Sequence, residues 1–226
     1  MYGKINSNDV WSRFYENKKE KSFYPESFLQ RIFLSTSPIR FINKEYKGAK
    51  MLDVGCGYGK NIPFLNDLGF DITGLEISKS IVNNLYDTFP QHSFKKGSFS
   101  NIPFEDDTFD FILGCNSFYY IDDLKSGIEP HFKEVSRVLK SDGNFIFTIL
   151  GNQHSIFNNA KKIGRDYFEI SNDFLNFRNG IIIYRPSDIT DILSFQSNFI
   201  SPFYGELIEK VKSHTRHIYF IVLTKS

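Results

Sequence analysis

Residues 51–60 read Met51-Leu52-Asp53-Val54-Gly55-Cys56-Gly57-Tyr58-Gly59-Lys60, an apolar run that passes straight into three alternate glycines. Glycines at such a turn let the backbone bend tightly and expose main-chain N–H groups that a Cβ would shield, so a nucleotide-like ligand is expected there. A bound phosphate is not. Lys60 stands where the dinucleotide fingerprint G-x-G-x-x-G needs its third glycine, and no G-x-x-x-x-G-K-[ST] loop occurs. Asp53 would repel a pyrophosphate but suits an ammonium or sulfonium group. Glu76 closes the next apolar run, where an acidic side chain can accept both hydroxyls of a ribose. Together these residues describe an adenosyl group carrying a cationic amino-acid tail.

Such a turn needs a strand before it and a helix after it. Short apolar runs near 50–54, 70–76, 92–96, 109–115 and 144–150 read as strands. Helical patterns fall between them at 60–68 (ending at Gly69), 79–88 and 122–140 (interrupted near Pro130), and this alternation predicts a parallel sheet. Ahead of the first strand, Ser7 or Asn8 can cap a helix bearing Val10, Trp11, Phe14 and Tyr15. A second helix can start at Pro25 and carry Phe28, Leu29, Ile32 and Phe33, and a third can follow Ser37-Pro38. The alternation lapses over 151–185, where Phe168–Ile170 and Gly180–Tyr184, with turn chemistry at Asn172-Asp173 and Asn179-Gly180, predict an inserted β-ribbon placed to act as a lid. A helix over 186–196 and strands at 199–207 and 216–224 complete the chain. One domain, 1–226, is expected: a helical cover (1–48), a cofactor-binding core (49–150), the inserted lid (151–185) and a C-terminal helix with a strand pair (186–226).

Asp53-x-Gly55-x-Gly57-x-Gly59 with Glu76 resembles motifs I and II of the class I S-adenosylmethionine-dependent methyltransferases. Asn101-Ile102-Pro103-Phe104-Glu105-Asp106-Asp107-Thr108-Phe109-Asp110 resembles that family's entry to its fourth strand, and Arg137-Val138-Leu139-Lys140-Ser141-Asp142-Gly143 its lead into the fifth. The resemblance covers residues 50–150 and is nearest to the small-molecule branch. It implies an α/β, Rossmann-like fold: a seven-stranded, mostly parallel sheet in the order 3-2-1-4-5-7-6 with helices on both faces. It also implies S-adenosylmethionine as cofactor, with S-adenosylhomocysteine as product. Gly55, Cys56, Gly57 and Gly59 would approach the methionine part, Asp53 its amino group through the loop, Glu76 and Ile77 the ribose, and Ser98 and Phe99 the adenine, with Asn116 at the same edge. Many relatives carry an acidic residue where this chain has Ser98.

The acceptor is less sharply drawn. Across 226 residues, Lys plus Arg number 27 and Asp plus Glu 26, a net charge of +1 that argues against nucleic acid or a membrane surface as partner. Asn116-Ser117-Phe118-Tyr119 also lacks the paired prolines of amino-DNA methyltransferases, and no Pro-Cys nucleophile is present. Neither a membrane-length apolar run nor an apolar signal core appears, so a cytoplasmic chain with Cys56 and Cys115 reduced is expected. A small-molecule methyl acceptor is therefore anticipated, methylated on oxygen or nitrogen by a monomer or homodimer. Tyr15, Tyr119, Tyr120 and Arg216 are the candidate substrate contacts. His154, just beyond the fifth strand, is the candidate general base, while His131, inside a helix, reads as structural. No His/Cys cluster has metal spacing, so no metal is expected. The competing readings are a non-catalytic adenosine-cofactor binding module and an NAD-dependent dehydrogenase.

Overall fold

The computed structural model describes residues 7–16, 23–36, 40–42, 44–171, 178–194 and 198–226. Two helices come first, α1 (Ser7–Glu16) and α2 (Ser27–Leu34). Then follow β1 (Lys50–Val54), α3 (Ile62–Asp67), β2 (Asp71–Glu76), α4 (Lys79–Thr88), β3 (Ser93–Lys96), β4 (Phe109–Gly114), the short β5 (Tyr120–Ile121), α5 (Glu129–Val138) and β6 (Leu139–Leu150). After a 3-10 turn at Ser155–Phe157 come β7 (Lys161–Lys162), β8 (Tyr167–Glu169), β9 (Ile182–Tyr184), α6 (Ile189–Ser194) and a long hairpin of β10 (Phe199–Val211) and β11 (His214–Lys225).

Seven strands form the main sheet in the order β10-β11-β6-β4-β1-β2-β3. Counted in chain order within that sheet alone, the sequence across it is 3-2-1-4-5-7-6. β11 runs antiparallel to both neighbours, and the β6-β4-β1-β2-β3 run is parallel. Four of the five residues of β1 are buried, as a strand covered on both faces requires. Helices supply that cover. Phe132 of α5 meets Phe145 and Phe147 of β6, while Phe28 of α2 stacks on Phe220 of β11 at 5.7 Å. Phe220 pairs with Thr148, the neighbour of Phe147, so α2 and α5 lie on opposite faces of the sheet.

Several boundaries differ from the sequence reading. Pro130 lies in the first turn of α5 rather than interrupting a longer helix, because a proline there loses no intrahelical bond. Likewise α2 begins at Ser27, two residues past Pro25. β6 starts at Leu139, with Asp142 in the left-handed region (φ 61) where the pairing register with β4 shifts. The helix expected after Ser37-Pro38 begins outside the described residues, as does the turn at Asn172-Asp173.

The inserted ribbon is real but larger than foreseen. β8 and β9 pair antiparallel, Phe168 opposite Ile183, within a four-stranded sheet ordered β5-β9-β8-β7. β5 follows directly from the segment that leaves β4, so the second sheet is tied to the carboxyl edge of the first. Among the described residues no helix is long and apolar enough to cross a membrane.

Candidate functional site

The turn after β1 has Gly55, Gly57 and Gly59 at φ 72, 58 and 86, a region that L side chains rarely adopt. A Cβ at position 55 would stand 2.5 Å from that of Ser117, whose hydroxyl donates to the carbonyl of Val54 at 2.6 Å. The glycine turn is thereby clasped by the segment leaving β4. A Cβ at position 59 would meet Phe89, Ile62 and Leu85, so Gly59 lets the turn pack against α3 and α4.

Two buried carboxylates sit behind the turn. Glu76 accepts the N–H of Gly57 (2.9 Å) on Oε2 and that of Ile77 (2.8 Å) on Oε1. Burial raises its pKa, and the backbone donors offset that only in part. Asp53, 1% exposed, leaves Oδ2 without a hydrogen-bond partner. Burial, with the charge of Glu76 adding to it, pushes Asp53 up to about 7.

Two adjoining cavities open beside these acids, and Trp11, Tyr15, Gly55, Asn116 and Tyr120 border both. The smaller, 90 Å³, is walled by Glu76, Ile77, Ser98, Phe99 and His131. The larger, 410 Å³, takes in Cys56, Cys115, Tyr119, His154 and four charged residues, Glu26, Lys60, Arg178 and Arg216. Glu26 joins two of those cations, Lys60 at 2.6 Å and Arg216 at 2.5 Å. Both cysteines are free, and burial raises each thiol. Asn116, at φ 57, donates its N–H to Thr148 Oγ1 at 2.8 Å and borders both cavities.

His154 lines the larger cavity, yet its Nδ1 accepts the N–H of Ile156 at 3.1 Å. The neutral ring therefore carries its proton on Nε2. His131 has the opposite tautomer. Its Nδ1 lies 3.1 Å from the carbonyl of Phe118, which can only accept, and burial holds its pKa down at about 4. Its place in a cavity wall went unread in the sequence, as did those of Glu26, Lys60 and Arg178. Glu26 and Arg216 are 190 residues apart, and no local pattern links them. Among the described residues no group of three or more His, Cys, Asp or Glu side chains gathers as a metal site would require.

A mostly parallel sheet of this order, with a glycine turn and two acids at its carboxyl edge, is that of the class I methyltransferase architecture, and residues 52–147 match the family model described as a methyltransferase domain. Over residues 52–147 the chain therefore carries a methyltransferase domain. It is 32% identical over 108 residues to a sarcosine/dimethylglycine N-methyltransferase of Aphanothece halophytica, covering 45% of this chain and 38% of that one. With an eEF1A lysine and N-terminal methyltransferase homolog of Drosophila melanogaster it shares 27% identity over 157 residues, 65% of this chain and 22% of the other. The matches thus span well under half of these relatives' lengths. In fold it resembles an S-adenosylmethionine-dependent methyltransferase of Methanosarcina mazei, with a TM-score of 0.66, 17% identity, and 89% of this chain and 98% of that chain covered.

Proposed function

We propose that this chain transfers the methyl group of S-adenosylmethionine to an oxygen or nitrogen of a small metabolite. The observation that carries the proposal is the unpartnered, buried Asp53 carboxylate behind the glycine turn. An acid in that position is short of a positive charge, and a ligand bearing an ammonium and a sulfonium group supplies one. Glu76 faces the smaller cavity with each oxygen already fixed by a backbone N–H, which leaves further lone pairs for ribose hydroxyls. Gly55 and Cys56 would hold the methionine part, Ile77 would flank the ribose, and Ser98, Phe99 and Asn116 would border the adenine.

When bound, the donor supplies a methyl group already activated on a positive sulfur. What this chain must do is align the acceptor and exclude water. Trp11, Tyr15, Tyr119 and Tyr120 give the larger cavity aromatic walls, suited to a planar acceptor. Three cations, Lys60, Arg178 and Arg216, line it against the single carboxylate of Glu26, which favours an acceptor that itself carries an acidic group. His154, whose Nδ1 lone pair is committed to the N–H of Ile156, is poorly suited to the part of a base through that nitrogen.

Calorimetry with S-adenosylmethionine and S-adenosylhomocysteine tests the reading. Binding of both that is abolished by Gly57→Arg is expected, and binding of neither would overturn it. Turnover of labelled donor with small acids bearing a hydroxyl or amine then separates an enzyme from a non-catalytic binding module.

A further inference from the structure

Within the 90 Å³ cavity, the acceptor groups of the wall are unevenly committed. Ser98 shares a hydrogen bond with Ser100 at 2.9 Å, and both oxygens of Glu76 take backbone N–H groups. Asn116 Oδ1 accepts a longer bond, 3.4 Å, from Thr148, and the exposed Asp122 has a partner. His131 stands apart: it is 2% exposed, its Nδ1 is fixed by the backbone, and its ring forms part of the cavity wall.

The orientation of the ring follows from its neighbours. Nδ1 must donate, since the Phe118 carbonyl opposite it has no proton to give. Phe99 stacks on the imidazole at 5.6 Å between centroids, and Phe118 packs edge-on at 5.6 Å, which holds the ring plane, while turning the ring over would cost the Nδ1 bond to the Phe118 carbonyl. A neutral imidazole with its proton on Nδ1 has one remaining polar function, a lone pair on Nε2. That lone pair belongs to a residue lining the cavity that also borders Ser98 and Phe99.

We propose that His131 Nε2 accepts a hydrogen bond from the exocyclic amino group of the donor's adenine, and so takes the part for which Ser98 offers no carboxylate. This rests on the reading of the smaller cavity as the adenosyl site. A fixed acceptor distinguishes bases. Adenine presents N–H to it, whereas a 6-oxo purine presents a second lone pair and leaves both acceptors unsatisfied. His131 is then a specificity-determining residue for the base rather than a packing residue alone.

The test is calorimetry of the full chain with S-adenosylhomocysteine and its 6-oxo counterpart, S-inosylhomocysteine. The parent protein should favour the adenosyl compound by roughly 10- to 100-fold. His131→Phe keeps an aromatic ring against Phe99 but has no lone pair, and it should reduce that preference to near unity. His131→Gln, which can still present an acceptor, should retain part of it. Equal affinity of the parent protein for the two compounds would overturn the inference without recourse to any variant. So would an undiminished preference in folded His131→Phe, with loss of preference in Asp122→Asn then assigning the acceptor to Asp122. Failure of the parent to bind S-adenosylhomocysteine at all is a distinct outcome, and it would remove the proposed function together with this inference.

Discussion

The hydroxyl of Tyr15 lies 2.5 Å from the point that a Cβ on residue 57 would occupy, so α1 closes directly onto the glycine turn. Gly57→Ala therefore meets two obstacles: a left-handed backbone, costing about 1 kcal/mol, and a steric conflict with the Tyr15 ring. The single variant should unfold at lower urea concentration. Adding Tyr15→Ala should relieve the second obstacle and leave the first. A double-mutant cycle reads the difference, and a coupling energy of zero would mean that α1 does not rest on the turn in solution.

Asp53 gives the protein a pH dependence of predictable sign. Its ordinary value is 3.8, and burial, assisted by Glu76, pushes it up to about 7. Between those limits the folded chain holds a proton that the unfolded chain has lost, so stability falls as pH rises through the window, by roughly 4 kcal/mol if nothing else titrates. Asp53→Asn lacks this dependence. Urea melts from pH 4 to 8 should show the variant gaining on the parent as pH rises, and parallel curves would refute the assignment. A cationic donor compensates the charged acid, so its affinity for the parent should climb up to about pH 7, with proton release on binding.

Arg137 ties two loops together in a way that its i,i+3 partner alone would not. Its guanidinium donates to both oxygens of Glu134, to the carbonyls of Ile102 and Phe104 and to Asp106, each at 2.8 Å. Arg137→Ala leaves those carbonyls without their charged donor and should cost about 1–3 kcal/mol in chemical denaturation. Arg137→Lys should recover little, because an ammonium cannot serve five acceptors in one plane. A lysine variant as stable as the parent would contradict this.

That network also explains what the sequence made legible. Ile102-Pro103-Phe104 and Arg137-Val138-Leu139 stood out as separate motifs, and in the fold they bond to one another, so their residue types are dictated by a shared geometry. The glycine turn was readable for a similar reason: its chemistry is local, set by φ at three positions and by carboxylates at strand ends. The second sheet was readable only in its β8–β9 ribbon. Tyr120-Ile121 is too short to show a period, and its partner Ile182-Ile183 lies some 60 positions away with no turn between them to announce the pairing. For His131 the sequence shows only a position within a helix, whereas the tautomer imposed by the Phe118 carbonyl and the adjacent cavity are tertiary facts. Of the charged wall of the larger cavity only Arg216 was named, for the same cause, since the wall is gathered from the head of α2, the glycine turn, the segment at Arg178 and β11.

Glu26 offers the sharpest test of that wall. Burial alone would raise its pKa, but Arg216 and Lys60 outweigh burial and hold the carboxylate below its ordinary 4.5. A lowered acid contributes stability that is present above 4.5 and is lost as pH drops through the folded value. Glu26→Gln leaves Arg216, already shared with Glu209, and Lys60 without their common anion at the head of α2. Because the two cations are about one-third exposed, the expected loss near neutral pH is about 1–3 kcal/mol, less than for a fully enclosed pair. The gap between variant and parent should close as the medium is acidified below pH 4, and added phosphate should raise the melting temperature of the variant more than that of the parent. If the gap stays constant from pH 7 to pH 3, Glu26 is not the anion that holds Lys60 and Arg216 at the cavity wall.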